Sequence, residues 1–363
     1  MKVVRPIAIY LPQFHPISEN DEWWGKGFTE WTSVTKASPL FKGHHQPKLS
    51  SHMGFYDLRN PETRKEQAIL AAQYGIEGFA YYHYWFKGKR LLEKPFNDVL
   101  KSGEPDFPFC LIWANETWSR RWLGEEKEIL IKQEYSPEDD IAHAYYLAKA
   151  FRDKRYIRIT ERPVFTIYRP NDLPDISATI NTIKSIALKE NGVEPFLVAS
   201  NSHAMLDNAP LLQKGFDGIF NFRPQLGVLP NAFTDGFDKR RLINNVRKHK
   251  VFSGDYKIYD YKTALSLMQE VEPKSFDNII PGVFVGWDNT ARRGTNGIII
   301  KNNDPAGFEE ELMRVKKKLE QAGSNLGLIF VNAWNEWAEG NYLEPDNKNH
   351  YAYLEAIKKV TGK

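Results

Sequence analysis

LGLIFVNAWNEWAEGNYLEPD, residues 326–346, decides how the chain is read. The apolar run Leu326, Gly327, Leu328, Ile329, Phe330 and Val331 reads as a buried parallel strand, about Gly327–Asn332. A polar and aromatic cluster begins where that run ends: Asn332, Trp334, Asn335, Glu336 and Glu339. In parallel α/β proteins, ligands sit at the carboxyl ends of strands. Two carboxylates three positions apart, among tryptophans and amides, are groups suited to acid/base chemistry on a sugar.

Seven comparable runs precede this one: Arg5–Tyr10, Glu77–Trp85, Phe107–Asn115, Arg162–Arg169, Pro195–Asn201, Phe216–Phe222 and Ile279–Trp287. Amphipathic stretches with helix signals lie between them. Asn60-Pro61 starts one and Gly75 closes it; Ser136-Pro137 starts another that runs to Arg152. Further helices are expected at 174–191, 305–322 and 348–360. Eight strand–helix units point to a (β/α)₈ TIM barrel with decorated loops at its C-terminal face. A doubly wound open sheet is the alternative, but LPQFHP follows strand one where a Gly-rich phosphate loop would be needed. The whole chain, 1–363, reads as one catalytic domain with inserts at about 11–60 and 223–278. The first insert, rich in Trp, His and Gly, is expected to fold over the active-site face. The run KRRLINNVRKHK in the second reads as a solvated helix face.

If a barrel forms, its strand ends converge. They carry Tyr10, Gln13 and His15 after strand one, and His83, Tyr84 and Trp85 on strand two. Strand three ends in Trp113, Asn115 and Glu116, strand four in Tyr168 and Arg169, and strand five in Asn201 and His203. Strand six supplies Asn221 and Arg223, and strand seven Trp287 and Asp288. Trp287-Asp288 suggests a stacking platform beside a hydroxyl acceptor. Flat sugar faces stack on indole and phenol rings, and the chain holds 10 Trp and 17 Tyr. Trp334 and Trp337 would wall a glutamate, desolvate it and raise its pKa. Residue chemistry alone does not say which glutamate is acid and which is base.

Composition excludes several classes. Lys+Arg 49 against Asp+Glu 46 leaves a net charge of +3, too balanced for nucleic acid or an anionic membrane surface. The single cysteine, Cys110, lies in the apolar run FPFCLIW and reads as a core residue. His44-His45 has no ligand-spaced companions, and HExxH and CxxC are absent, so neither metal nor other cofactor is expected. No DxD triplet serves a nucleotide sugar, and no nucleophile elbow serves a Ser-His-Asp triad. No stretch is long and apolar enough to span a membrane. The apolar run after Met1 is too short for a secretory leader, so a cytoplasmic placement is expected. The expected partner is an oligo- or polysaccharide.

AIYLPQFHP, WWGKGFTEW, HYWF, WANETW and NAWNEWAEGNYLEP together resemble the WbsX-type proteins. That family is named for glycosyltransferases of polysaccharide and O-antigen assembly and is related to glycoside hydrolase family 99, the endo-α-mannosidases and endomannanases. The resemblance implies a (β/α)₈ barrel with an open cleft and a glutamate pair in an E-W-x-E arrangement, here Glu336 and Glu339. In the hydrolases the first glutamate is a base on the substrate 2-hydroxyl. A 1,2-anhydro sugar forms and water opens it with retention. The second glutamate is the acid that protonates the leaving oxygen. Ala338 stands where those enzymes typically carry histidine. Three functions follow as expectations: a retaining endo-glycosidase on an α-linked mannose-type or related polysaccharide, a transferase of lipopolysaccharide O-antigen or capsule assembly, and a non-catalytic glycan-binding barrel.

Overall fold

The computed structural model describes residues 4–120, 125–202, 208–230, 232, 256–323 and 326–363. Eight parallel strands close on themselves: β1 (Arg5–Tyr10), β2 (Gly78–Phe86), β3 (Phe109–Trp113), β4 (Arg162–Ile167), β5 (Phe196–Ser200), β6 (Gly218–Asn221), β7 (Ile279–Phe284) and β8 (Leu328–Asn332). Each strand pairs with the next in sequence. β1 then pairs with β8 at Arg5↔Leu328, and β7 with β8 at Gly282↔Phe330, which completes the ring. The chain therefore forms a (β/α)₈ TIM barrel rather than a doubly wound open sheet. Every residue of β3, β5, β6, β7 and β8 is buried. Their uninterrupted apolar runs reflect that two-sided burial. Gly282 is needed where β7 crosses β6, because a Cβ there would lie 2.5 Å from the Asn221 carbonyl oxygen.

The helix signals act locally. The Asn60 side chain accepts from the Glu62 N–H ahead of the Pro61–Gln73 helix, and Ser136 accepts from Asp139 N–H ahead of Pro137–Phe151. Asp175 caps Ile176–Asn191, and Gly192 ends it in the left-handed region. Asp304 caps Pro305–Ala322. Each cap satisfies a backbone donor that the first helical turn leaves unpaired. One apolar cluster links strand residues such as Ile7, Leu111 and Phe330 to helix residues such as Leu70, Leu147 and Leu312.

The decoration differs from expectation in three places. The seventh apolar run breaks at Phe284, and Trp287–Asp288 leaves the barrel to pair with Ile298–Lys301, which also pairs with Lys257–Asp260. Trp118–Arg120 and Glu125–Ile131 form a hairpin beyond β3. Lys94–Ser102 adds a helix after β2. These pieces are short, and their local patterns are masked by function-bearing polar residues. KRRLINNVRKHK lies outside the described residues, and so does His203.

Candidate active site

A cavity of about 490 Å³ opens at the carboxyl ends of the strands, within the usual range for small-molecule sites. Its centre is a charge cluster drawn from three distant parts of the chain. Arg292 follows β7 and donates from Nη2 to Glu336 (2.8 Å) and from Nη1 to Glu339 (2.6 Å). Its Nε and Nη2 also donate to Glu30 Oε1. Glu30 belongs to the N-terminal insert, in the helix Glu30–Lys36, and is fully buried. One guanidinium thus serves three carboxylates. Burial, then the mutual repulsion of the acids, pushes Glu336 up to about 8 against the pull of Arg292. Burial raises Glu339 as well. The pair titrates as a unit and retains a proton near neutrality. Glu339 is the more open of the two, with its side chain 21% exposed against 7% for Glu336.

Eight of the residues expected from sequence line this cavity: Gln13, Tyr84, Glu116, Tyr168, Arg169, Trp287, Glu336 and Glu339. Glu116 is ion-paired there with Arg169 at 3.1 Å. The Gln13 amide nitrogen is buried without a protein partner, as is that of Asn20 on the cavity wall, which sequence reasoning passed over.

The other expected residues point elsewhere. On β2 the side chains alternate, so of the expected His83, Tyr84 and Trp85 only Tyr84 faces the cavity. Tyr82 and Tyr84 line the cavity, whereas His83 and Trp85 face the Pro137–Phe151 helix. There the His83 and His143 Nε2 atoms lie 2.9 Å apart, so one ring donates to the other. Burial lowers both, His83 to about 3, so they stay neutral. Trp85 stacks on His143 and donates to Asp139, and Trp113 meets His143 edge-on. Tyr10 donates to Gln67 inside the core. His15 sits against the Pro12 carbonyl, and burial lowers it to about 4.

The amides act as struts. Asn115 accepts from Arg169 N–H at 2.7 Å and donates to Arg169 O, tying the end of β3 to that of β4. Asn201 donates to Asn208, Asn221 accepts from Gln225, and Asn332 donates to the Arg223 carbonyl. Asn335 clamps the backbone of Leu11 with both amide atoms. Trp334 packs on Phe79, and Trp337 stacks on Tyr342 and donates to Glu344. The walls near the glutamate pair are therefore the phenols Tyr82 and Tyr84, not the two indoles. Asp288 is no open acceptor either. Its carboxylate takes hydrogen bonds from His44, Gln46, Lys48 and Thr290, which hold it well below the usual range. Beneath the loop that carries Glu336 and Glu339, Glu344 accepts from Tyr56, Gln67 and Trp337, and burial pushes it up to about 7.

Arg292 and Glu30 were the principal omissions. Arg292 stands in the short helix Thr290–Arg293, within a polar stretch, and Glu30 in a motif whose glutamate resembles an ordinary first-turn helix residue. Among the described residues, no group of three or more His, Cys, Asp or Glu is placed to hold a metal ion. No helix among them is long and apolar enough to cross a membrane.

The family described as Glycosyltransferase WbsX matches residues 6–357. WxcX of Xanthomonas campestris pv. campestris, itself uncharacterized, is 41% identical over 356 residues, 98% of this chain and 49% of that protein. The chain thus spans about half the length of the curated relatives it matches. Among solved structures, the GH99 endo-alpha-mannosidase from Bacteroides thetaiotaomicron aligns with a TM-score of 0.57 and 12% identity, over 99% of this chain and 96% of that one. A glycoside hydrolase-like protein aligns with the same TM-score and 13% identity, over 99% and 94% of the two chains. Identities this low speak to the fold.

Proposed function

The chain belongs to the WbsX glycosyltransferase family, and from that premise we propose that it is a carbohydrate-active enzyme that breaks glycosidic bonds with Glu336 and Glu339 as its acid/base pair. The observation that carries this reading is the pair itself: two cleft carboxylates on one guanidinium beyond the carboxyl end of β8. Glu339, the more open group, suits the acid that meets the leaving oxygen. Glu336, the deeper one, suits the base on the 2-hydroxyl in the form of the pair whose one proton rests on Glu339. The sugar's own oxygen then attacks C1, the leaving oxygen takes the proton from Glu339, and water opens the 1,2-anhydro ring with net retention.

The cleft favours a neutral glycan. Gln13, Asn20, Trp24 and Trp118, beyond β1 and β3, and Ser202, Phe222, Leu226 and Trp287, beyond β5, β6 and β7, line the cavity together with the pair. This aromatic and amide lining supports action on an α-linked mannose-type or related polysaccharide. The transferase reading keeps the support of the family's name. Against a nucleotide-sugar donor stand the charges: Glu116, Glu336 and Glu339 line the cavity, and its cations Arg169 and Arg292 already hold carboxylates. A diphosphate would have to displace one of those carboxylates to engage either guanidinium.

Product analysis against a panel of α-mannans and bacterial surface polysaccharides tests the proposal. Internal cleavage with retained anomeric configuration, undiminished by chelator, is expected. Activity that requires a nucleotide sugar would establish the transferase instead.

A further inference from the structure

The WWGKGFTEW stretch, residues 23–31, has no part in the bond-breaking steps above, yet it supplies the most deeply buried charge at the site. Glu30 starts its helix directly after Thr29, whose N–H donates to Thr32 Oγ1. The backbone N–H of Glu30 donates to the Gln13 carbonyl at 2.9 Å. Its neighbour Trp31 donates to the Tyr56 carbonyl and packs on Trp337, on the same loop as the catalytic pair. Both neighbours therefore fix where the Glu30 carboxylate lies. It has one function there that the structure shows, to hold Arg292: Oε1 takes two of the guanidinium's hydrogen bonds, and Oε2 has no protein partner.

That arrangement is costly unless the charge is used. An ion buried with an unsatisfied oxygen is destabilising compared with a neutral isostere. A guanidinium meant only to neutralise the pair would need Glu336 and Glu339 alone. The other titratable groups facing the pair are Glu116 beyond β3, held by Arg169, and the phenols Tyr82, Tyr84 and Tyr168. None of them is a second cation.

We propose that Glu30 is a positioning residue whose charge, by engaging Arg292, keeps the Glu336/Glu339 pair from ionising completely at neutral pH. Its effect on turnover rests on the acid/base reading above; its effect on the pair's protonation does not. Without the Glu30 charge, the guanidinium would be divided between two carboxylates only, both would ionise more readily, and the proton donor would be lost at lower pH.

The test uses the full chain, labelled with ¹³C at glutamate carboxyls, in wild-type, Glu30→Gln and Glu30→Asp forms. Carboxyl titration by NMR is paired with kcat and KM against pH on a glycan the wild type cleaves. In Glu30→Gln the highest-titrating carboxyl of the pair should fall by roughly one pH unit or more, the size of shift a neighbouring charge produces. The alkaline limb of kcat should move down with it, with KM little changed. Glu30→Asp, whose carboxylate withdraws from Arg292 by one methylene, should fall less and also serves if Glu30→Gln does not fold. A folded variant of either kind with an unchanged titration overturns the proposal. So does a drop in kcat that is uniform across pH. If the wild type cleaves no glycan while the titration shifts as described, the role of Glu30 stands and the acid/base reading falls.

Discussion

Glu336→Gln and Glu339→Gln each remove one proton-transfer group while keeping its shape. Each should lower glycan cleavage by roughly 10²–10⁴-fold, the usual contribution of one acid or base, with circular dichroism unchanged. An aryl glycoside with a very acidic leaving group should restore part of the activity of Glu339→Gln, because that leaving oxygen needs no proton. Glu336→Gln should gain nothing from it, and a 2-deoxy substrate should be inert with the wild type. Rescue of both variants, or of neither, would reassign the roles. Arg292→Met leaves the buried Glu30 carboxylate uncompensated and should cost about 3–5 kcal/mol in urea unfolding. The glutamate pair was legible because its members stand three apart at the end of one apolar run. Arg292 and Glu30 were not, because they lie 262 residues apart in the chain and meet only through the barrel.

Strand β2 shows what a run of buried residues conceals. In YYHYWF every position is apolar, aromatic or histidine, so the two faces carry no contrast from which to read the parity. Only packing reveals that Tyr82 and Tyr84 face the cleft while His83 and Trp85 face a helix. Two variants separate the faces. Tyr84→Phe should weaken glycan binding by about 2–10-fold, the value of one neutral hydrogen bond, with stability nearly unchanged. His83→Leu should leave a buried His143 nitrogen unpaired and cost about 1–3 kcal/mol of stability, with KM unchanged for the folded fraction. Calorimetry and denaturation on both proteins would show the division; a reversed pattern would mean the face assignment is wrong. Helix starts fared better because a cap is a local event. Asn60, Ser136 and Asp304 each bond to a backbone N–H two or three residues on, so a short window of sequence contains the whole interaction.

At the level of the whole molecule, the closed ring was readable from eight runs and their spacing, whereas the rim around it was not. The rim is knit by side chains such as Asp288, which joins the first insert to the β7 loop through His44, Gln46 and Lys48. Buried acids also make folding respond to pH. Glu344 and Glu336 bind their protons more tightly folded than unfolded, at about 7 and about 8. The stability they add is complete below the ordinary glutamate range and is lost as pH rises through those values. Asp288, held low, acts in the opposite sense and loses its contribution only in acid. The melting temperature should therefore decline between pH 5 and 8, and the decline should be smaller in Glu336→Gln; an equal decline would show that the Glu336 proton is not linked to folding. The pairing of β1 with β8 bears on how the protein is made. A ribosome delivers β1 first and β8 last. Until Leu328–Asn332 has emerged, one edge of β1 has no neighbour, and before Arg292 emerges Glu30 has no counter-charge. From the emergence of β1 to that of β8 the nascent barrel has an open strand edge of the kind that invites aggregation, and the ring closes only when that last strand arrives.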